Sequence, residues 1–170
     1  MGISRDNVDL LKVALGAIGK DSYKGLRICE LGNQRMRFGR HKTGKEYISN
    51  LGASHTSIDR NGKDGSVVLD LATPIKLWHG SFDIVTNYGT SEHVQNQKAC
   101  FDNIHNFCKD GGAMIHSVPL KGTYKKHSKY HYDTDFFVKL AKERGYTIVL
   151  NEVRKRTHYK ALVCAVLVKQ

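Results

Sequence analysis

Two apolar runs close the chain, Tyr146 to Val153 and Ala161 to Lys169, and only the seven residues Arg154 to Lys160 join them. A parallel pair of strands needs a crossover of a dozen or more residues, so this end of the chain is expected to fold as an antiparallel hairpin. Upstream the pattern changes. Short runs suited to buried strands (Leu26 to Glu30, His55 to Asp59, Ser66 to Leu69, Phe82 to Thr86, Ala113 to Val118) are interleaved with helical periodicity at about 4–19, 92–108 and 134–144. Such interleaving builds a parallel sheet with helices on both faces. The two patterns together predict a doubly wound α/β fold. Its sheet is mostly parallel and seven-stranded, and it finishes in a C-terminal antiparallel hairpin.

Local signals agree with these elements. Ser4 is placed to cap a helix carrying Val8, Leu11, Leu15 and Ile18, and Gly145 stands just past a helix carrying Phe136, Phe137, Leu140 and Ala141. No linker rich in Pro or Ser and no repeat interrupts the 170 residues. One domain, 1–170, is expected, with an N-terminal helical segment through residue 24 and a core over 26–169.

Charge narrows the partners. The 27 basic residues outnumber 16 acidic ones, and the formal net charge of +11 favours anionic ligands, nucleic acid among them. The basic residues cluster at Arg35 to Lys45, Lys121 to Lys129 and Arg154 to Lys160, all outside the expected strands. No stretch approaches the roughly 20 apolar residues of a membrane span, and the first residues lack the apolar core of a secretion signal. The four cysteines form no Cys-x-x-Cys pair and three fall in apolar runs or on helix faces, which suits reduced thiols in a cytoplasmic protein without a membrane partner. His127 and His131 have no matching Cys, Asp or Glu, so no metal site is expected.

In an open sheet of this kind, ligands bind outside the carboxyl ends of the strands. The first strand runs out into Glu30-Leu31-Gly32-Asn33-Gln34, where a single glycine permits close approach of the backbone to a ligand. A dinucleotide pyrophosphate calls for further glycines at a helix start. Asp59, at the end of the second strand, suits the two hydroxyls of a ribose, or an Asx turn with Asn61-Gly62. Asp70-Leu71 ends the third strand and is either a ligand contact or a cap before Ala72-Thr73-Pro74. The fourth strand ends in Asn87-Tyr88-Gly89-Thr90-Ser91-Glu92-His93.

Phe82-Asp83-Ile84-Val85, then Glu92-His93-Val94, then Lys109-Asp110-Gly111-Gly112 and the terminal hairpin together resemble the class I S-adenosylmethionine-dependent methyltransferases, over about residues 26–169. The resemblance implies a Rossmann-like domain with S-adenosylmethionine as cofactor. It places the cofactor against Glu30, Gly32, Asn33, Asp59, Asp70, Leu71, Asn87, Tyr88, Gly89 and His93. In that scheme Asp59 holds the ribose, Asp70 and Leu71 the adenine, and the 86–93 segment the methionine and its transferable methyl. The sequence departs from the family in two places: Asn33 and Gln34 stand where a second glycine and its neighbour are expected, and Asp110 stands in place of Pro. Methyl transfer from a sulfonium is an in-line displacement that positioning alone accelerates. A general base is needed only when the acceptor must lose a proton early, and His93, Tyr88 and His116 are the candidates. The expected acceptor is an anionic small molecule or nucleic acid. Two other readings compete: a basic nucleic-acid-binding module that keeps the fold without catalysis, and a nicotinamide-dependent oxidoreductase, which the missing glycines and the antiparallel end disfavour.

Overall fold

The structure, a computed structural model, describes residues 2–124, 128–157 and 159–170. Helix α1 (Arg5–Ala17) leads into β1 (Arg27–Leu31), followed by α2 (Gly44–Asn50), β2 (Ser54–Ile58), β3 (Phe82–Asn87), α3 (Gln97–Phe107), β4 (Cys108–Pro119), α4 (Thr134–Arg144), β5 (Thr147–Thr157) and β6 (Lys160–Val168). The six strands lie in the order β2-β1-β3-β4-β6-β5. The first four pair in parallel, and β6 runs antiparallel to both β4 and β5. The mixed sheet and its closing hairpin match the sequence pattern.

Alternation along the strands divides the core in two. Cys29, Leu31, Val85 and Met114 face one side of the sheet with Phe101, Ile104 and Phe137 from α3 and α4. Ile28, Ile84, Ala113 and Ile115 face the other with Leu10, Leu11 and Ala14 from α1. The side chains of β1, β3 and β4 are thus apolar on both faces, as a sheet covered by helices on both sides requires.

The expected seventh strand, Ser66 to Leu69, is not formed. Val67 makes one parallel bridge to Ile58, with amide bonds to Ser57 and Asp59, and the pairing goes no further. A 3-10 turn at Lys63–Gly65 comes just before it, and the Asp70 carboxylate accepts the Ala72 amide just after it, which leaves no room for a ladder. Asn103 of α3 secures the following segment instead: its Oδ1 accepts the Ile75 amide, and its Nδ2 donates to the Leu71 and Thr73 carbonyls.

Boundaries also moved. β5 runs on to Thr157 and β6 begins at Lys160, so Arg154, Lys155, Arg156 and Lys160 of the third basic cluster lie in the hairpin strands rather than outside them. The third helix begins at Gln97 rather than 92, because Ser91–His93 forms a separate 3-10 turn and Asn96 caps the helix by accepting the Ala99 amide. Gly111-Gly112 lies inside β4 at an irregularity in the pairing with β3, with Gly111 at φ +73°. Helix α2 begins within the end of the basic stretch and carries Lys45 in its first turn; Thr43 caps it by accepting the Glu46 amide.

Candidate functional site

The carboxyl ends of β1, β2 and β3 surround a cavity of about 480 Å³, within the range of small-molecule sites. Seven of the ten residues expected to hold a cofactor line it: Gly32, Asn33, Asp59, Asp70, Leu71, Gly89 and His93. Gly32 has φ +80°, and a Cβ there would meet Thr90 Oγ1 at 2.6 Å and Gln34 Nε2 at 2.7 Å. No other residue fits without moving that wall. Thr90 ties the two strand ends together, its hydroxyl donating to the Leu31 carbonyl at 2.7 Å and lying 3.3 Å from Gln34 Nε2.

Asp59 shapes the far wall. Its Oδ2 accepts the Asn33 amide (2.9 Å) and its Oδ1 the Asn61 amide (3.0 Å), so it forms the Asx turn and also steers the loop after β1. Each carboxylate oxygen keeps a further lone pair for a ligand hydroxyl. Asp70 likewise closes its own turn through Ala72 while lining the cavity.

The structure leaves the other three expected cofactor residues out of the cavity lining. Asn87 is wholly buried: its Oδ1 accepts the Ser91 and Thr90 amides, its Nδ2 donates to Ser91 Oγ, and the side chain thereby fixes the turn that ends β3. Tyr88 points to the opposite side of the sheet, where its hydroxyl donates to the Asn7 carbonyl of α1 at 3.0 Å. Glu30 is buried beneath the loop, 3.4 Å from His55 Nε2, and accepts the Gln34 amide. Burial pushes its carboxyl up, and His55 pulls against that shift.

Of the candidate bases, His93 lines the cavity. His116 does not: it lies in β4 between the Phe101 and Phe137 rings, with Nδ1 3.1 Å from Asn87 Nδ2. Burial pushes its pKa down to about 3, so it stays neutral through the ordinary pH range. Tyr88 is fully enclosed, and burial holds its hydroxyl well above the ordinary value. His131 is half-buried near the Tyr124 carbonyl, while Lys125, Lys126 and His127 fall outside the described residues. Among the described residues no cluster of three or more His, Cys, Asp or Glu could hold a metal, and no helix is long and apolar enough to cross a membrane.

Glu92 was visible in the sequence only as part of a motif. Its side chain is 0% exposed, and neither carboxyl oxygen has a hydrogen-bond partner among the described residues. Burial raises its pKa to about 7. Its backbone carbonyl accepts the Lys129 and Tyr130 amides, which fastens the loop after β4 over the end of β3.

A second cavity, about 230 Å³, opens on the α1 side of the same strand ends and is lined by Asn7, Arg37, Tyr88, Ser117, Tyr124 and Arg156, among others.

Comparison with known proteins fits this geometry. Residues 43–116 match the family described as a methyltransferase domain. That match covers less than half of the chain, and the solved structures that resemble it share its fold. Similar solved structures include the 1,6-didemethyltoxoflavin-N1-methyltransferase of Burkholderia thailandensis, crystallised with S-adenosylhomocysteine (15% identity, 95% of this chain and 77% of that one, TM-score 0.69). Others are an S-adenosylmethionine-dependent methyltransferase from Mesorhizobium loti (15%, 96% and 97%, TM-score 0.68) and the N-methyltransferase NodS of Bradyrhizobium japonicum (12%, 98% and 96%, TM-score 0.66). Among curated proteins no sequence match was found. The first of these neighbours was crystallised with S-adenosylhomocysteine. The glycine cradle at Gly32, the acid at the end of β2 and the size of the first cavity suit that group.

Proposed function

We propose that this chain is an S-adenosylmethionine-dependent methyltransferase that binds its cofactor in the first cavity and delivers the methyl to a small anionic acceptor held in the second. The observation that carries the reading is the placement of two consecutive residues: Gly89 lines the first cavity and Tyr88 the second. The acceptor atom reaches the methyl past the edge of the turn that separates the two cavities, since an in-line displacement leaves no backbone between them. Asn87 and Thr90 hold that turn, which is the positioning an in-line displacement needs. The cofactor supplies the activated methyl; the chain supplies the geometry.

Charge selects the acceptor. Arg156 is engaged by Asp6 at 3.0 Å and Ser4 Oγ at 2.7 Å, whereas the Arg37 side chain has no ionic partner among the described residues. A cavity of about 230 Å³ takes a single ring with a carboxylate or phosphate group, not a paired stretch of nucleic acid. The test uses labelled S-adenosylmethionine and a panel of ring amines and phenols carrying a carboxylate or phosphate, each matched to its neutral amide or ester. Transfer to the acids, with KM raised in Arg37→Ala and cofactor affinity unchanged, supports the reading. Preference for the neutral partners, or transfer to RNA alone, overturns it.

A further inference from the structure

Arg156 lines the second cavity and also a third, of about 500 Å³, formed by the hairpin and the segment after β4. Lys155 and Lys160 line this third cavity with it, beside Leu120, Thr123 and Ala161. The hairpin gathers these cations through a break in its own pairing. Lys155 faces Ala161 and Thr157 faces Lys160, so Arg156 is one residue more than β6 has to oppose it. Strict alternation would send Lys155 and Arg156 to opposite faces of the sheet. A bulge bends its strand and re-aims a side chain, and here both residues line one cavity. Lys160 Nζ also stands 5.8 Å from the centre of the Tyr124 ring, which lines the second cavity. Arg156 and Lys160 thus stand where the two cavities adjoin.

Charge separates these two cavities from the first. Asp59 and Asp70 line the first cavity together with Arg60 and Lys129, a balanced set. Four cations, Arg37, Lys155, Arg156 and Lys160, line the second and third, and no carboxylate does. Of the four only Arg156 has an ionic partner among the described residues, Asp6, and its guanidinium keeps donors beyond those spent on Asp6 and Ser4. Like charges gathered without an acid among them repel one another, and one carboxylate or phosphate cannot reach all four across two cavities. A chain of anionic groups can. We propose that the acceptor carries two or more linked phosphates: its ring sits in the second cavity with Arg37, and the phosphates pass Arg156 into the third, where Lys155 and Lys160 meet them. The inference rests on the acceptor placement given above and adds to it the substrate class, a small molecule bearing a diphosphate or longer phosphate chain.

The test needs no identified acceptor. Orthophosphate, pyrophosphate and tripolyphosphate are titrated by calorimetry, at constant ionic strength, into protein saturated with S-adenosylhomocysteine. Tripolyphosphate should bind about tenfold or more tightly than orthophosphate, as several charge-assisted contacts imply. The double variant Lys155→Ala, Lys160→Ala should lose that advantage and keep its S-adenosylhomocysteine affinity, which also reports that it is folded. A control, Lys20→Ala with Lys24→Ala, removes the same charge from the exposed segment before β1 and should bind all three as wild type does. Equal affinity for the three phosphates overturns the proposal. So does an equal loss in the control, which would reduce the effect to net charge. Displacement of S-adenosylhomocysteine by tripolyphosphate overturns it too, by placing the phosphates in the first cavity. A short single-stranded RNA that binds as tightly as tripolyphosphate, and weakens in the same double variant, would assign the surface to nucleic acid instead. Failure of the wild-type protein to bind S-adenosylhomocysteine takes down the cofactor placement and the acceptor site drawn from it, and is distinct from all of these results.

Discussion

Glu30 and Glu92 are both buried at the carboxyl edge of the sheet, and the fold treats them in opposite ways. Glu30, at the penultimate residue of β1, has His55 at 3.4 Å and the Gln34 amide, and Gly44 packs so close to its Oε1 that a Cβ there would collide with it. Glu92, just past β3, has the same low exposure and no such company. The first acid is enclosed by its own protein and supports a loop. The second lines neither cavity, and its oxygens have no hydrogen-bond partner among the described residues. Two acids of equal burial thus differ in what surrounds the carboxyl.

The largest effect should come from breaking the acid whose Oε2 has the Gln34 amide and His55 beside it, although its Oε1 has no hydrogen-bond partner among the described residues. Glu30→Ala strands a buried imidazole and empties the space under the Gly32 loop, and loss of one partner from a buried pair costs about 3–5 kcal/mol. Denaturant unfolding should show a lowered midpoint, and a midpoint within error of wild type would mean that the Glu30–His55 contact bears little weight.

Glu92→Gln should move stability the other way. Burial holds its folded pKa at about 7, above the ordinary carboxyl value of 4.5, so the native state holds a proton that the unfolded chain releases between those values. Wild-type stability therefore falls as pH rises from about 4.5 to 7, by an amount that approaches roughly 3 kcal/mol. Glutamine does not ionise. The variant should match wild type near pH 4 and exceed it at pH 8, and parallel stability curves across that range would contradict the burial argument.

Asp59 supplies a half-buried acid for contrast. Asp59→Ala should weaken S-adenosylhomocysteine by about tenfold, the effect of roughly 1.5–3 kcal/mol from bonds to a charged group. Unchanged affinity would remove the ribose from that strand end. The smallest effect is expected from charges outside the sheet altogether. A short single-stranded RNA should bind weakly, lose affinity with salt at a slope of about −0.7 per phosphate contact, and leave S-adenosylhomocysteine binding untouched. Charge reversal at Lys42 and Lys121 should flatten that slope, and competition between RNA and S-adenosylhomocysteine would instead place nucleic acid at the active site.

Elements with strong local signals were legible in the sequence. The hairpin followed from the shortness of its connection, and β1, β3 and the apolar half of β4 from their apolar runs. Ser66 to Leu69 had the composition of a strand, but whether a ladder forms depends on the turns on either side and on a partner's position. Here Asn103, a polar residue of α3, does the tethering from 28 to 32 positions away. Helix α3 began late for a related reason: the hydroxyl of Ser91, one residue before the expected start, is already engaged by Asn87 and Tyr132. In the site, the residues at strand ends were placed by topology alone. The facing of Tyr88 was not, because alternation lapses where a strand turns, and its hydroxyl is claimed by Asn7, 81 residues earlier. The isolation of Glu92 was beyond the sequence, since it is defined by the partners that do not reach it.

The wall between the two cavities is one turn of backbone, with Tyr88 on one side and Gly89 on the other. A divider that thin makes the two sites thermodynamically interdependent. Any ligand that shifts the turn changes the energy of whatever occupies the other side, and by linkage the factor must be the same in both directions. Affinity for an acceptor measured on the apo protein is therefore a different quantity from affinity measured with the methyl donor in place, and their ratio is a property of the turn.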